Sequence, residues 1–187
     1  MTTDAATLFF GLLAVGAELA VLAALVLAVG GLASEAMAER RARVAAALRP
    51  QALVLAALVA GVCTAGSLYL SEVANFSPCK LCWYQRYAMY PLVPILAVAA
   101  WRRWSAVWLP GIAIAAVGGA ISTWHVLIER YPSLDTGACD PTNPCTLIWV
   151  KRFGYLTIPT MALSGFALII TLLLVAKPAS TDREDTA

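Results

Sequence analysis

Long apolar stretches separated by short polar ones make up most of the chain. They cover about residues 8–33, 52–72, 84–100, 105–127 and 157–176. A helix needs about 20 mostly apolar residues to cross the hydrocarbon core of a bilayer. The pattern therefore predicts an all-α integral membrane protein with five transmembrane helices, of which we call the second to fifth the bundle.

Composition supports this interpretation and leaves no separate soluble domain. Of the 187 residues, 61% are hydrophobic and only 13% are charged, and the net charge of +2 gives no reason to expect a nucleic-acid partner. We predict three parts: an N-terminal helix with a basic connection (1–50), the bundle (51–176) and a polar tail (177–187). The first residues, MTTDAAT, contain no Lys or Arg, which favours a retained helix over a signal peptide.

The distribution of basic residues predicts how the helices are oriented. With five spans, one side of the membrane receives eight basic residues and the other five. The eight are Arg40, Arg41, Arg43, Arg49, Arg102, Arg103, Lys177 and Arg183. Because basic residues concentrate in cytoplasmic loops, we expect the N-terminus outside and the C-terminus in the cytoplasm. Both cysteine-bearing connections then face the oxidising, extracytoplasmic side.

Four cysteines form two close pairs. Cys79 and Cys82 make a C-x-x-C at the predicted start of the third span, where a helix N-terminus favours a reactive thiolate. Cys139 and Cys145 bracket the stiff segment DPTNP. Bridges that close such short loops stabilise a fold little, and exposed bridges exchange readily. We predict redox exchange and no metal ligands, with two structural disulfides or a four-thiolate zinc site as the alternatives. Cys63 is expected to be a small packing residue.

A pair that is used repeatedly needs an electron acceptor. The chain has no dinucleotide fingerprint, no haem-attachment motif and a single histidine, so a membrane-dissolved quinone is the acceptor that suits it. Arg86, seven residues after Cys79 on the same helix face, is the predicted quinone ligand. His125, near the outer end of the fourth span, is a second candidate for quinone binding or proton transfer. Glu18 lies within the first span, where a carboxylate is expected to be paired, protonated or regulatory.

The motifs CKLCWYQR, HVLIERYPS, CDPTNPC and FGYLTIPTMAL resemble the DsbB family of disulfide-bond formation proteins, including its BdbC-type members. The resemblance covers roughly residues 51–176, so residues 1–50 are an addition to the family's pattern. It implies a catalytic four-helix bundle in the bacterial inner membrane. Such a bundle passes electrons from a soluble, DsbA-like thiol oxidase to ubiquinone or menaquinone.

The resemblance also implies a role for each cysteine. A partner thiolate would attack Cys139 and release Cys145. Cys145 would then attack Cys79 and free Cys82 as a thiolate beside the quinone. Two other functions remain open at this point: a reductase of the vitamin-K-epoxide type, which also combines four cysteines with a quinone, and a non-enzymatic membrane subunit with structural disulfides.

Overall fold

The computed structural model describes residues 2–135, 137 and 139–178, which are mostly helical. Its α-helices are α1 (Thr3–Ala33), α2 (Glu35–Leu48), α3 (Ala52–Leu68), α4 (Lys80–Arg102), α5 (Trp108–Arg130) and α6 (Ile158–Ala176). The described residues form no β-strand, only two isolated bridges between α5 and α6. The all-α prediction is confirmed. Most of the predicted tail, residues 179–187, lies outside the described part.

Four described helical stretches are long and apolar enough to cross a membrane. They are α1, the continuous segment Glu35–Val73 that contains α3, the segment Ser105–Arg130 that contains α5, and α6. α4 has 23 residues, or about 34 Å of helix, but polar residues such as Gln85 and Arg86 lower its hydropathy. α4 packs between α3 and α5, so it runs through the same layer as its neighbours. The chain is therefore a multi-pass, all-α membrane protein, as predicted.

The basic connection 34–50 is itself helical, which the sequence pattern did not specify. α2 begins after Ser34, an extended N-cap residue that breaks it from α1. Its Ala, Glu and Arg residues are strong helix formers, and Glu39 and Arg43 form an exposed i,i+4 ion pair with a 3.6 Å separation. No residue of α2 is buried, so it packs little against the bundle.

Small residues bring α5 and α6 together. Gly111 and Ala115 are buried, as expected for the predicted small-residue stripe of this span. The closest approach, however, is at Gly118, where an added Cβ would fall deep inside the ring of Phe166. Gly119, which we assigned to the stripe, has room for a Cβ at 3.7 Å from Phe166. Such small residues let helices approach closely where lipid provides no hydrophobic driving force.

α1 packs against α6 by a different face from the one we predicted. The spacing of Gly16, Ala20 and Ala24 predicts a small-residue stripe along one face of α1, but Gly16 and Ala20 are exposed. The buried face instead contains Gly11, Ala14 and Ala17. In a helix made largely of Ala, Gly and Leu, several faces have small residues at the same spacing, so the pattern could not distinguish them.

Candidate functional site

The first cysteine pair lies where α4 begins. Pro78 precedes the helix, and Cys79 is its N-cap, with Sγ accepting a hydrogen bond from the backbone N–H of Cys82 at 3.4 Å. The two sulfur atoms are 3.1 Å apart and unbridged, so this pair is a dithiol. A helix N-terminus favours an anion because its first N–H groups have no intrahelical partner. Cys79 is therefore positioned to be a thiolate.

The second pair, Cys139 and Cys145, is joined by a disulfide in the loop between α5 and α6. Cys139 is 8% exposed and Cys145 only 1%, so Cys139 is nearer to solvent. Both belong to one buried cluster that also contains Cys79 and Ile128. The structure thus brings the two predicted pairs together at one end of the bundle.

Polar contacts hold the loop of the second pair against the start of α4. Asn143 donates from Nδ2 to the hydroxyl of Ser77 at 3.2 Å and to the carbonyl of Pro78 at 3.0 Å. Within the loop, the carboxylate of Asp140 accepts hydrogen bonds from the backbone N–H (2.8 Å) and hydroxyl (2.7 Å) of Thr142. These bonds lower the pKa of Asp140, so a negative charge lies beside Cys139.

His125 lies between the two pairs. Its Nε2 is 3.7 Å from Sγ of Cys79 and 3.1 Å from the carbonyl oxygen of Cys145. Its Nδ1 is 3.2 Å from Nε2 of Gln85, an amide nitrogen that can only donate. The ring proton is then on Nε2, which donates toward the carbonyl of Cys145 and faces the sulfur of Cys79. His125 therefore has polar contacts to both pairs.

The surroundings of Cys79 favour its thiolate form. A hydrogen bond from the thiol of Cys82 and, after it, the hydrogen bond from His125 lower the pKa of Cys79 from its ordinary 9.0 to about 4. Burial acts in the opposite direction but is outweighed. The sequence predicted a reactive thiolate at this helix mouth, and its expected final position was Cys82. In the dithiol described here, the anion is on Cys79 and Cys82 is its donor.

Arg86 lies one turn after Cys82 in α4 and is 8% exposed. Its Nε and Nη2 donate to the hydroxyl and carbonyl oxygens of Ser67 on α3, both at 3.0 Å. Its Cζ also lies 4.9 Å from the centre of the Trp83 ring. A guanidinium fixed at two points keeps its remaining N–H groups in a defined direction.

A cavity of about 340 Å³ opens beside Arg86. Its polar end contains Ser67, Cys82, Gln85 and Arg86, and its longer part is lined by apolar side chains of α1, α3 and α6. Pockets of this size that combine an apolar lining with a few polar groups are typical of small-molecule sites. Cys82 and Arg86 thus share a cavity, whereas His125 is not among its lining residues.

Glu129 is a site residue that the sequence analysis missed. Together with Cys79, Cys82 and His125 it lines a second, small cavity of about 20 Å³. Its carboxylate accepts a hydrogen bond from the hydroxyl of Thr157 at 2.6 Å. Its position four residues after His125, on the same helix face, is the sequence signal that could have identified it.

The same sulfur and nitrogen atoms have the geometry of a three-ligand metal site. Each of these residues, Cys79, Cys82 and His125, offers one ligand atom, and the three atoms lie within 4.8 Å of one another. Thiolate and imidazole ligands suit a thiophilic ion such as Zn²⁺. The four-thiolate alternative does not fit this arrangement, since Cys139 and Cys145 are bonded to each other.

Comparison with known proteins covers the bundle. Residues 47–176 match the family model described as "Disulfide bond formation protein DsbB". A "Probable disulfide formation protein" of Oceanobacillus iheyensis is 43% identical over 122 residues, 64% of this chain and 84% of the relative. "Disulfide bond formation protein C" of Bacillus subtilis is 40% identical over 121 residues, 64% of this chain and 88% of the relative. No solved structure matches the chain. α1 lies outside the region matched by the family model.

Proposed function

This chain belongs to the DsbB family of disulfide bond formation proteins, and we propose that it is a membrane thiol:quinone oxidoreductase. It takes electrons from a soluble, thioredoxin-like (DsbA-type) thiol oxidase and passes them through its two cysteine pairs to a membrane quinone. The reoxidised partner then continues to form disulfides. Family membership supports the thiol chemistry and suggests the thiol oxidase partner, while the acceptor is inferred from the cavity beside Cys82.

We call Cys79 and Cys82 the inner pair, and Cys139 and Cys145 the outer pair. One observation carries the proposal: the two pairs meet at His125, and Cys82 of the inner pair borders the cavity. Nε2 of His125 lies within 3.7 Å of the Cys79 sulfur and 3.1 Å of the Cys145 carbonyl oxygen. Cys82 lines the cavity beside Arg86. A bridged outer pair, a reduced inner pair and a cavity at the inner pair are the arrangement that stepwise electron transfer needs.

The proposed exchange uses both pairs in order. A thiolate of the partner attacks Cys139, the sulfur nearer to solvent, so that a mixed disulfide forms and Cys145 leaves as a thiolate. Cys145 then attacks Cys79 of an oxidised Cys79–Cys82 pair, which releases Cys82. The second partner thiol attacks the partner's own sulfur in the mixed disulfide, so the partner becomes oxidised and Cys139 leaves as a thiolate. Cys139 then attacks Cys145 in the Cys145–Cys79 bond, which restores the Cys139–Cys145 disulfide and releases Cys79 as a thiolate. The outer pair ends oxidised and the inner pair reduced, the state described here.

The cavity fits a quinone in shape and chemistry. Its apolar length suits a ring with a hydrocarbon tail, and its polar end offers the guanidinium of Arg86, held by Ser67. A bound quinone supplies a two-electron, two-proton acceptor. Arg86 is proposed to hold a ring oxygen, and His125 and Glu129 to hold or transfer protons at the sulfur atoms. A direct contact between His125 and the ring, which the sequence suggested, stays a prediction.

We also propose that both cysteine pairs face the extracytoplasmic side of a bacterial cytoplasmic membrane, with the C-terminus in the cytoplasm. The charge distribution supports this orientation, because the basic residues of α2 and of the α4–α5 turn are at the opposite end of the helices from the cysteines. A reporter protein that fluoresces only in the cytoplasm, fused to the C-terminus, is expected to fluoresce. A dark but stable fusion would contradict the orientation.

The function is tested with detergent-purified protein, a reduced DsbA-type partner and a soluble quinone whose absorbance reports its reduction. Serine variants of Cys79, Cys82, Cys139 and Cys145 are each expected to abolish turnover. Cys63→Ser is the control for the loss of a thiol, because Cys63 belongs to neither pair. Its thiol exchange with the reduced partner, measured without quinone, should be unchanged.

Trapping gives an independent readout of the order of exchange. With a partner that has a single thiol, the protein with its Cys139–Cys145 bond intact should form a mixed disulfide at Cys139 and free the thiol of Cys145. Cys139→Ser, which cannot form that bond, should not form a mixed disulfide. Unchanged turnover in all four variants, without any mixed disulfide, would favour a non-enzymatic subunit. Reduction of a quinone epoxide, with electrons taken from the cysteine thiols, would favour a reductase of the vitamin-K-epoxide type.

A further inference from the structure

We propose that α1 forms a wall of the large cavity and contacts the isoprenoid tail of the quinone, so that this helix determines how tightly tailed quinones bind. The inference rests on the proposed function. It assigns a binding role to the part of the chain that lies outside the family match at residues 47–176.

The lining of the cavity is the first argument. Phe10, Leu13, Ala14 and Ala17 of α1 all border it, opposite apolar residues of α3 and beside those of α6. These four positions recur every three or four residues, so they form one face of the helix. Leu12 and Leu19, on other faces, are 56% and 61% exposed. The face of α1 that borders the cavity is thus distinct from the faces toward lipid.

Polar contacts at both ends of this face hold α1 in place. Near its start, Arg152 forms an ion pair with Asp4 and donates to the hydroxyl of Thr7 at 2.7 Å. Seven residues past Gly11, the carboxylate of Glu18 accepts hydrogen bonds from Tyr155 at 2.6 Å and from Ser164 of α6 at 2.9 Å. These bonds account for the intramembrane carboxylate, since a carboxylate within a membrane span needs polar partners.

The depth of α1 along the cavity identifies the part of the ligand that it would contact. The ring of Phe10 packs on Gly66, where an added Cβ would come within 3.1 Å of it. Gly66 is adjacent to Ser67, the residue that accepts a hydrogen bond from Arg86. Phe10 therefore lies where the polar end of the cavity meets its apolar part. Ala17 is seven residues, or about 10 Å, further along the helix. α1 therefore borders the apolar length of the cavity, where a hydrocarbon tail fits and a charged or polar head does not.

The test compares two ligands on the full-length protein in detergent: a quinone with a short isoprenoid side chain, and the same ring without one. Equilibrium dialysis measures the Kd of each. Ala17→Phe fills the apolar part and Phe10→Ala removes part of its wall. Both variants are expected to weaken the tailed quinone on the order of tenfold and to leave the ring-only quinone unchanged.

Matched controls are available on the same helix. Ala20→Phe and Phe9→Ala make the same changes at exposed positions that do not line the cavity, and neither should alter either Kd. Single-turnover thiol exchange with a reduced partner, without quinone, reports whether each variant is folded.

The outcomes separate the two proposals. Equal Kd values for the cavity variants and their controls would overturn the role of α1 and leave the proposed function intact. Equal weakening of tailed and ring-only quinones would overturn the assignment of the tail. A wild-type protein that binds neither quinone would overturn both.

Discussion

Removing the thiol of Cys82 is expected to raise the pKa of Cys79 further than removing the imidazole of His125. The pKa of Cys79 is about 4 instead of its ordinary 9.0, and the hydrogen bond from Cys82 is the largest cause, ahead of the contributions of His125. A thiol with its ordinary pKa is only about 1% ionised at pH 7, whereas Cys79 is almost fully ionised there. Cys82→Ala should therefore bring the titration midpoint close to neutrality or above, and His125→Phe should move it less.

The assay follows thiolate absorbance near 240 nm between pH 3 and pH 9. A background in which Cys139 and Cys145 are both serine leaves the inner pair as the only one that can be reduced. It also keeps the backbone carbonyl that His125 contacts. Cys79→Ser in the same background is the control, because it retains the absorbance of every other group.

The pH range of the effect follows from the direction of the shift. A lowered pKa stabilises the reduced folded protein fully above about pH 9, and the stabilisation is lost as the pH falls toward 4. The difference in unfolding free energy between the reduced protein and its Cys79→Ser variant should shrink over the same range. A wild-type midpoint near 9, or a larger shift in His125→Phe than in Cys82→Ala, would refute the assignment.

Three further predictions concern packing and the outer loop. Gly118→Ala should lower the free energy of unfolding by about 1–3 kcal/mol, because the added Cβ overlaps the ring of Phe166. In the control Gly119→Ala, the free energy of unfolding should stay within about 1 kcal/mol of wild type. Thermal unfolding in detergent compares the two variants. Asn143→Ala removes two hydrogen bonds, worth about 2 kcal/mol, between the loop and the start of α4. Rapid-quench experiments should therefore show slower disulfide exchange between the two cysteine pairs, with unchanged formation of the mixed disulfide with the partner. Asp140→Asn keeps the oxygen that accepts the loop's hydrogen bonds but removes the charge. It should therefore shift the equilibrium between the pairs a few-fold toward a reduced outer pair, as alkylation and mass analysis would measure. No change in the last case would show that the charge does not affect Cys139.

The features that depend on local sequence could be predicted well. The apolar runs located the spans, and the C-x-x-C after a proline placed Cys79 at a helix N-terminus with Arg86 on the same face. These relations follow from helix geometry within one segment. They needed no knowledge of how the helices pack.

The features that depend on rotation between helices could not be predicted. His125 was correctly placed near the C-terminal end of its span, but only packing decides that its ring faces Cys79 and not the large cavity. The aromatic residues around Arg152 in the sequence predict contact with lipid phosphate or solvent, but Arg152 pairs with Asp4, 148 residues away in the sequence. Periodicity gives the faces of a helix but not the partner of each face.

The different electrostatic surroundings of the two pairs favour the proposed direction of electron flow. At the inner pair, a helix N-terminus, a thiol donor and an imidazole all stabilise the anion of Cys79. At the outer pair, the charge of Asp140 is adjacent to Cys139, which disfavours a thiolate there. A pair whose reduced form is stabilised is the stronger oxidant, because reduction converts its disulfide into that stabilised thiolate. Electrons that enter at Cys139 and Cys145 are therefore expected to move inward to Cys79 and Cys82, toward the cavity and not back to the partner. This bias does not depend on which acceptor occupies the cavity, since it arises from the residues around the sulfur atoms.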